Sequence, residues 1–281
     1  SFYGYGSKNH EKRHNDVTWN RENVEAVVAY RHVIKPEVSD VSIRGSVSKI
    51  WGHRPSYYYL EGVQTAYSES GGSPFIASVQ ADFKQKFKAG MLTAGAKLTY
   101  RSNDIYHQFY EGGEYSDAFS NDLLHTELIP AAYVLFSSKI GKKFTYKAGL
   151  RGEFSTVTLT SSHEGLDVRN NDFFVSPSLS GTLRLAENQD LSLAFSRRVG
   201  RPAYPQLNPY MSMVDATTYE QGNMHLSPEK SSKLDFSYNF RSSKVQIFAD
   251  AYMNYTTDYI SQITKISDQI TKISDGLLIT T

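Results

Sequence analysis

The sequence predicts an all-β protein: an antiparallel, up-and-down transmembrane β-barrel that crosses its membrane with strands. Three observations carry that reading. Apolar and polar residues alternate with period 2 through most of the 281 residues, whereas a period of 3.6 is almost absent. The alternating runs last roughly 10 to 15 residues, against the 5–6 usual for globular strands and the 9–11 that cross a bilayer at a tilt. The connections between runs alternate strictly between short and long, as in barrels with tight turns on one side of a membrane and large loops on the other.

The first strand is expected over 23–33 and the second over 40–51, joined by IKPEVSD, whose proline and acidic residues suit a turn. The third, 74–86, and the fourth, 91–102, are joined by FKAG. In the fourth, Leu92, Ala94, Ala96, Leu98 and Tyr100 form one face, and Thr93, Gly95, Lys97, Thr99 and Arg101 form the other. Strands over 123–138 and 144–159 flank KIGKK. In the second of this pair, Phe144, Tyr146, Ala148, Leu150 and Phe154 alternate with Thr145, Lys147, Arg151, Glu153 and Ser155. Strands over 172–186 and 191–200 flank ENQD, with Phe173, Val175, Leu179, Leu183 and Leu185 on one face. The last pair, 228–241 and 245–258, is joined by SSK. Its apolar faces hold Leu234, Phe236, Tyr238 and Phe240, then Val245, Ile247, Ala249, Ala251, Met253 and Tyr255. Long loops are expected at 52–73, 103–122, 160–171 and 201–227.

Composition narrows the function. The chain has 20 Tyr, 15 Phe and 2 Trp, clustered near strand ends as interfacial girdles would be. Mean hydropathy is nonetheless −0.45, and no stretch approaches the ~18 apolar residues of a membrane helix. Strands that alternate lipid-facing and lumen-facing residues average out as hydrophilic. A net charge of +1 argues against a nucleic-acid partner held by phosphate contacts. With no cysteine there is no disulfide framework, thiolate nucleophile or Cys-ligated metal. No HExxH, GxSxG, P-loop or dinucleotide fingerprint occurs, so no catalytic residue, metal site or cofactor is assigned. His163-Glu164 is a single pair in a loop, and QITKISD at 262–268 is repeated at 269–275 without an assigned role.

Three segments carry a family resemblance. They are HTELIPAAYVLFSSKIGKKFTYKAGLRGEF at 125–154, FFVSPSLSGTLRLAENQDLSLAFSRRVGRPAYPQLNP at 173–209, and EQGNMHLSPE at 220–229. Together with their surroundings, about half the chain resembles the barrel of TonB-dependent outer-membrane receptors of Bacteroidetes-type bacteria. Met224 stands where the family pattern has proline, which softens that turn. The resemblance implies a bacterial outer-membrane location and a larger barrel, of about 22 strands around a plug. Residues 1–281 would then all be barrel, with the plug outside this chain. It further implies import of a scarce nutrient such as a siderophore, glycan, peptide or vitamin. The implied partners are outer-membrane lipid, the TonB complex through the plug, and a surface lipoprotein or other complex partner. A barrel that serves as an assembly partner or adhesin without import is the alternative, followed by a barrel hydrolase; a soluble β-sandwich is the rival fold.

Within the family loop the residues to watch are Arg197, Arg198, Arg201, Pro202, Tyr204, Asn208, Pro209, Gly222, Asn223, Pro228 and Glu229. Prolines stiffen this loop, and Asn and Gly supply its turns, so it reads as scaffolding. Arg198 shares the polar register with Ser192 and Ser196. Arg197 shares the apolar register with Leu193 and Phe195, from which it would reach lipid headgroups. The ligand candidates are Tyr57, Tyr58, Tyr59 and Tyr67 in one loop, and Tyr106, His107 and Tyr110 in the next. Tyrosine-rich loops give rigid amphipathic contact surfaces, although the same rings also serve loop-to-loop packing. The polar wall residues Lys97, Arg101, Arg151, Glu153, Arg184, Lys233 and Asp235 are expected to pair with one another in the lumen.

Overall fold

A computed structural model describes residues 12–161, 165–215 and 218–263; His163-Glu164 and most of the QITKISD duplication lie outside these residues. Strand β1 (Arg13–Val17) and β2 (Asn20–Lys35) both pair with β3 (Ser39–Leu60), β1 with its far end and β2 with its near end. They therefore make one interrupted span. In the same way β4 (Val63–Gly72) and β5 (Phe75–Phe87) share the space between β3 and β6 (Gly90–Glu111). The two-residue β7 (Glu114–Tyr115) folds back on the end of β6, and a 3-10 turn (Asp117–Phe119) leads into β8 (Asn121–Ile140). Then follow β9 (Phe144–Thr160), β10 (Asp167–Ala186) and β11 (Gln189–Gly200). A loop with a four-residue helix, α1 (Tyr204–Leu207), and a small hairpin of β12 (Ser212–Asp215) and β13 (Thr218–Glu220) comes next. β14 (Glu229–Arg241) and β15 (Gln246–Thr257) complete the order. Thirteen of these strands form one antiparallel sheet whose neighbours follow chain order, with β7 set beside β6 and the β12–β13 hairpin lying off the path between β11 and β14. The up-and-down barrel architecture expected from the sequence is the one observed.

The register explains why the alternation matters. Leu92, Phe136, Ala148, Leu179, Phe195, Leu234 and Met253 stand side by side on successive strands from β6 to β15. The next row along, offset by one residue, holds Thr93, Leu135, Gly149, Ser178, Ser196, Lys233 and Asn254, polar or small but for the one leucine. One face of the wall is thus an unbroken apolar band and the other is polar. The apolar band is open: Leu179 is 56% exposed and Met253 61%. A contiguous apolar surface of this extent is not tolerated in water; facing hydrocarbon, it is what a spanning sheet needs. Aromatic rings mark both borders. Phe75 and Tyr100 lie 6.3 Å apart at one, and Phe136, Phe144 and Tyr146 meet at 6.0–6.2 Å at the other.

Two expected loops are not loops. The sheet continues through 52–60 and 63–72, and again through 103–111, as direct extensions of the spanning strands. Tyr57, Tyr58, Tyr59, Tyr67, Tyr106, Phe109 and Tyr110 in these stretches suit a pleated surface. The Gly71–Pro74 sequence, which reads as a breaker, only interrupts the strand between β4 and β5. The actual reversals are two-residue tips: Glu61 and Gly62 at φ 52° and 82°, and Gly112 and Gly113 at 57° and 90°. Both central residues with positive φ match the twist of a hairpin. A crown of sheet therefore stands above the membrane band. The region 201–227 does remain largely irregular, as expected.

Candidate functional site

The site begins at the end of β11, where the chain turns inward. Arg201 places Nη2 2.8 Å from Glu153 Oε2 and Nε 3.1 Å from Glu127 Oε1. Each carboxylate has a second cation. Arg101 donates to Glu127 at 3.0 Å from the adjacent strand, and Arg151 donates to Glu153. Alternation puts Arg101, Glu127, Arg151 and Glu153 on the polar face, where Arg101 and Glu127 are direct cross-strand partners, and Arg201 reaches them from the loop after β11. Glu127 is only 3% exposed, and these two guanidinium groups are what offset the cost of burying its carboxylate. Sequence reading named Arg101, Arg151 and Glu153 as wall charges but missed Glu127; its place on the inward register of β8 was the available signal.

Beyond Arg201 the loop is locked by its own backbone. Pro202 leads into α1, where Gln206 Oε1 accepts the amide of Ala203 at 2.7 Å. Leu207 is buried with Leu123 and Leu159, each 0% exposed, and Tyr204 packs against the same cluster. Burial of such leucines contributes about 1.5–3 kcal/mol each. Asn208 is buried; its Oδ1 accepts the Tyr210 amide at 3.1 Å and its carbonyl accepts the Gly222 amide at 2.6 Å. The Pro209 carbonyl accepts from Gln221 at 2.6 Å, and the Asn223 amide donates to Gln206 at 2.7 Å. Asn170 on β10 donates to the carbonyl of Met224 at 2.8 Å. Pro228 is buried where β14 begins, and Glu229 Oε1 accepts the Ile260 amide at 2.7 Å. Arg198 is exposed on the register of Ser231. Arg197 departs from expectation. Its guanidinium lies 5.2 Å from the ring centre of nearly buried Phe174, a cation–π contact that holds it on the protein instead of sending it to the headgroups.

The seven ligand candidates divide by strand parity. Tyr58 and His107 point inward, each under 10% exposed. Tyr58 shares a hydrogen bond of 3.2 Å with Ser68 and packs on Phe109. Tyr57, Tyr67 and Tyr110 lie on the outward face, where a ladder of rings at 5.0 and 5.9 Å runs on to Tyr115 at 5.6 Å. Tyr59 shares their parity and meets His14 at 5.9 Å. Burial, helped by the Glu69 carboxylate that accepts its hydrogen bond, pushes the Tyr67 phenol up to about 12. Tyr106 shares a 3.3 Å hydrogen bond with His53 over the bare backbone of Gly71, where a Cβ would come within 2.6 Å of its ring.

Inside the crown lies a cleft of about 400 Å³ between the inward faces of β3, β4 and β6, the start of β8, and the loop from Tyr204 to Gly222. Tyr58 and His107 line it from the inward face, and Tyr106, which has the parity of Tyr110, borders it across Gly71; Tyr57, Tyr59, Tyr67 and Tyr110 do not line it. That one cleft joins β3 to the loop after β11 means the sheet curves around it. Burial, with Arg54 adding to it, pushes the His107 imidazole down to about 4, so the ring is neutral in the crown. Among the described residues no group of three or more His, Cys, Asp or Glu could hold a metal ion.

Residues 40–281 match the model of the outer membrane protein beta-barrel family. No curated protein matches the chain in sequence. Among solved structures, the unliganded ferric citrate transporter FecA aligns with a TM-score of 0.66 at 13% identity, covering 87% of this chain and 36% of that one. The ferric-catecholate import receptor Fiu from E. coli K12 aligns at 0.66 and 10% identity, covering 92% and 43%. The copper transporter OprC aligns at 0.64 and 14%, covering 87% and 40%. The chain thus spans 36–43% of the length of these structures, and at such identities the likeness is one of fold. The family match decides the assignment: this chain belongs to the outer membrane protein beta-barrel family, and its place is the outer membrane.

Proposed function

We propose, with that membership as the premise, that the chain is the wall segment of a TonB-dependent transporter that brings a nutrient into the periplasm. One observation carries the reading. The sheet ends in two unpaired edges, β2 and β15, among the described residues. Backbone in hydrocarbon must be hydrogen-bonded, so such a wall closes through further strands. A closed wall of about 22 strands has a lumen wide enough for a plug, and the transporters FecA and Fiu supply the matching curvature. The residues described here do no covalent chemistry in this reading. They form the lipid face, the lumen wall and the outer mouth, while the motor contact lies with the plug.

Deletion of the gene in its host, followed by growth on media limited in turn for iron, copper, vitamins, peptides and glycans, tests import. Transport predicts a defect on one limiting nutrient, copied by deletion of TonB and by an uncoupler. Normal growth on every limited medium, with the barrel shown to be inserted, overturns it and favours an assembly or adhesion role.

A further inference from the structure

The crown cleft contains buried polar atoms without a partner. Arg54 Nε, Asn103 Oδ1, His107 Nε2, Asn121 Nδ2 and the Tyr204 hydroxyl are all buried, and none has a hydrogen-bond partner among the described residues. All five residues line the same cleft. Register accounts for the convergence. Arg54 pairs with Ser70, Ser70 with His107, and His107 with Asn121, so one lateral row of polar side chains crosses four strands. Tyr204 faces this row from the inward loop. The neighbouring row opens the space: Gly52 pairs with Gly72, and a Cβ at Gly52 would touch nothing closer than 3.7 Å.

A native fold leaves few buried polar groups unsatisfied, and each such group calls for a partner. The unsatisfied set here mixes donors (Arg54, Asn121) with an acceptor (Asn103) and groups able to act either way. An anion would satisfy the donors but offers no hydrogen to the Asn103 oxygen. A metal cation would meet Arg54. A ligand whose every polar group both donates and accepts fits all five, and hydroxyl groups do so. Trp19, 67% exposed at the rim, has the Arg54 guanidinium 5.9 Å from its ring centre on one side and leaves aromatic surface on the other on which the apolar face of a sugar ring can stack. A volume near 400 Å³ lies in the range of small-molecule sites.

We infer that the crown cleft is a binding site for a neutral carbohydrate, held by Arg54, Asn103, His107, Asn121 and Tyr204. This rests on the transport reading only in taking the cleft as open to the exterior. The full-length protein, purified in detergent, is applied to a glycan array, and the strongest glycan is titrated calorimetrically into wild type, Tyr204→Phe and Asn121→Leu. Each substitution is expected to weaken binding by about 3- to 10-fold, the worth of one hydrogen bond, with the melting temperature of the free protein unchanged. Absence of any glycan binding, or unchanged affinity in both variants, overturns the inference. A fall in melting temperature of the free variants also overturns it, because the groups would then be paired with another segment of the protein. Binding needs no energy source, so a receptor that binds glycans without importing them sinks only the transport reading. One that imports another nutrient and ignores glycans sinks only this one.

Discussion

Gly222 shows how much a single position can demand. A Cβ there would fall 2.5–2.6 Å from the backbone of Pro205 and Gln206, atoms that cannot move aside without dismantling α1. Gly222→Ala is therefore expected to expel the 201–227 loop from the lumen while leaving the wall paired. Limited proteolysis should then cut within that loop in the variant and spare it in the wild type; equal resistance would refute the packing argument. The sequence marked Gly222 as a turn residue, which understates it, because close approach of a distant segment has no local signature. The tyrosines give the same lesson. Tyr57, Tyr58 and Tyr59 look equivalent as letters, yet strand parity sends the middle one inward. Parity has meaning only in a strand, and the Gly, Pro and Ser residues around this stretch signal a loop.

At the scale of the element, the loop after β11 is joined to the wall by Arg201, which bridges carboxylates on β8 and β9. Arg201→Ala leaves Glu127 and Glu153 with one cation each. A cost of about 3 kcal/mol is expected, at the low end for a broken buried pair because Arg101 and Arg151 remain. The unfolding midpoint of the purified protein should fall, and the fall should shrink when the same change is made in a Glu127→Gln, Glu153→Gln background. Equal losses in both backgrounds would show that the charges do not act together. The spans themselves were legible, because each needed only alternation and length. The crown strands were not: Ser-Gly-Gly-Ser-Pro at 70–74 signals a break, and only pairing to β3 and β6 on both sides overrides it.

At the scale of the whole molecule, the two faces of the wall make opposite predictions for one substitution. Leu193 lies in the outward band at 52% exposure, and Ser192 is its inward neighbour. Leu193→Arg is expected to destabilise insertion by about 2–4 kcal/mol, the cost of arginine facing the bilayer core, whereas Ser192→Arg should cost much less. Urea titration of the protein refolded into vesicles measures both, and equal costs would remove the lipid from its assigned face. The same asymmetry can be mapped by single cysteines, since the chain has none of its own.

The unbroken run of β3 from Ser39 to Leu60 has a consequence for how such a molecule diversifies. In the transport reading, the part proposed to meet cargo and the part that meets oil are one stiff ribbon, so a shift in either would drag the other out of phase. New specificity must then arise by exchanging inward-facing letters one at a time. Added length is welcome only at the tips, Glu61-Gly62 and Gly112-Gly113, where an insertion disturbs no ladder.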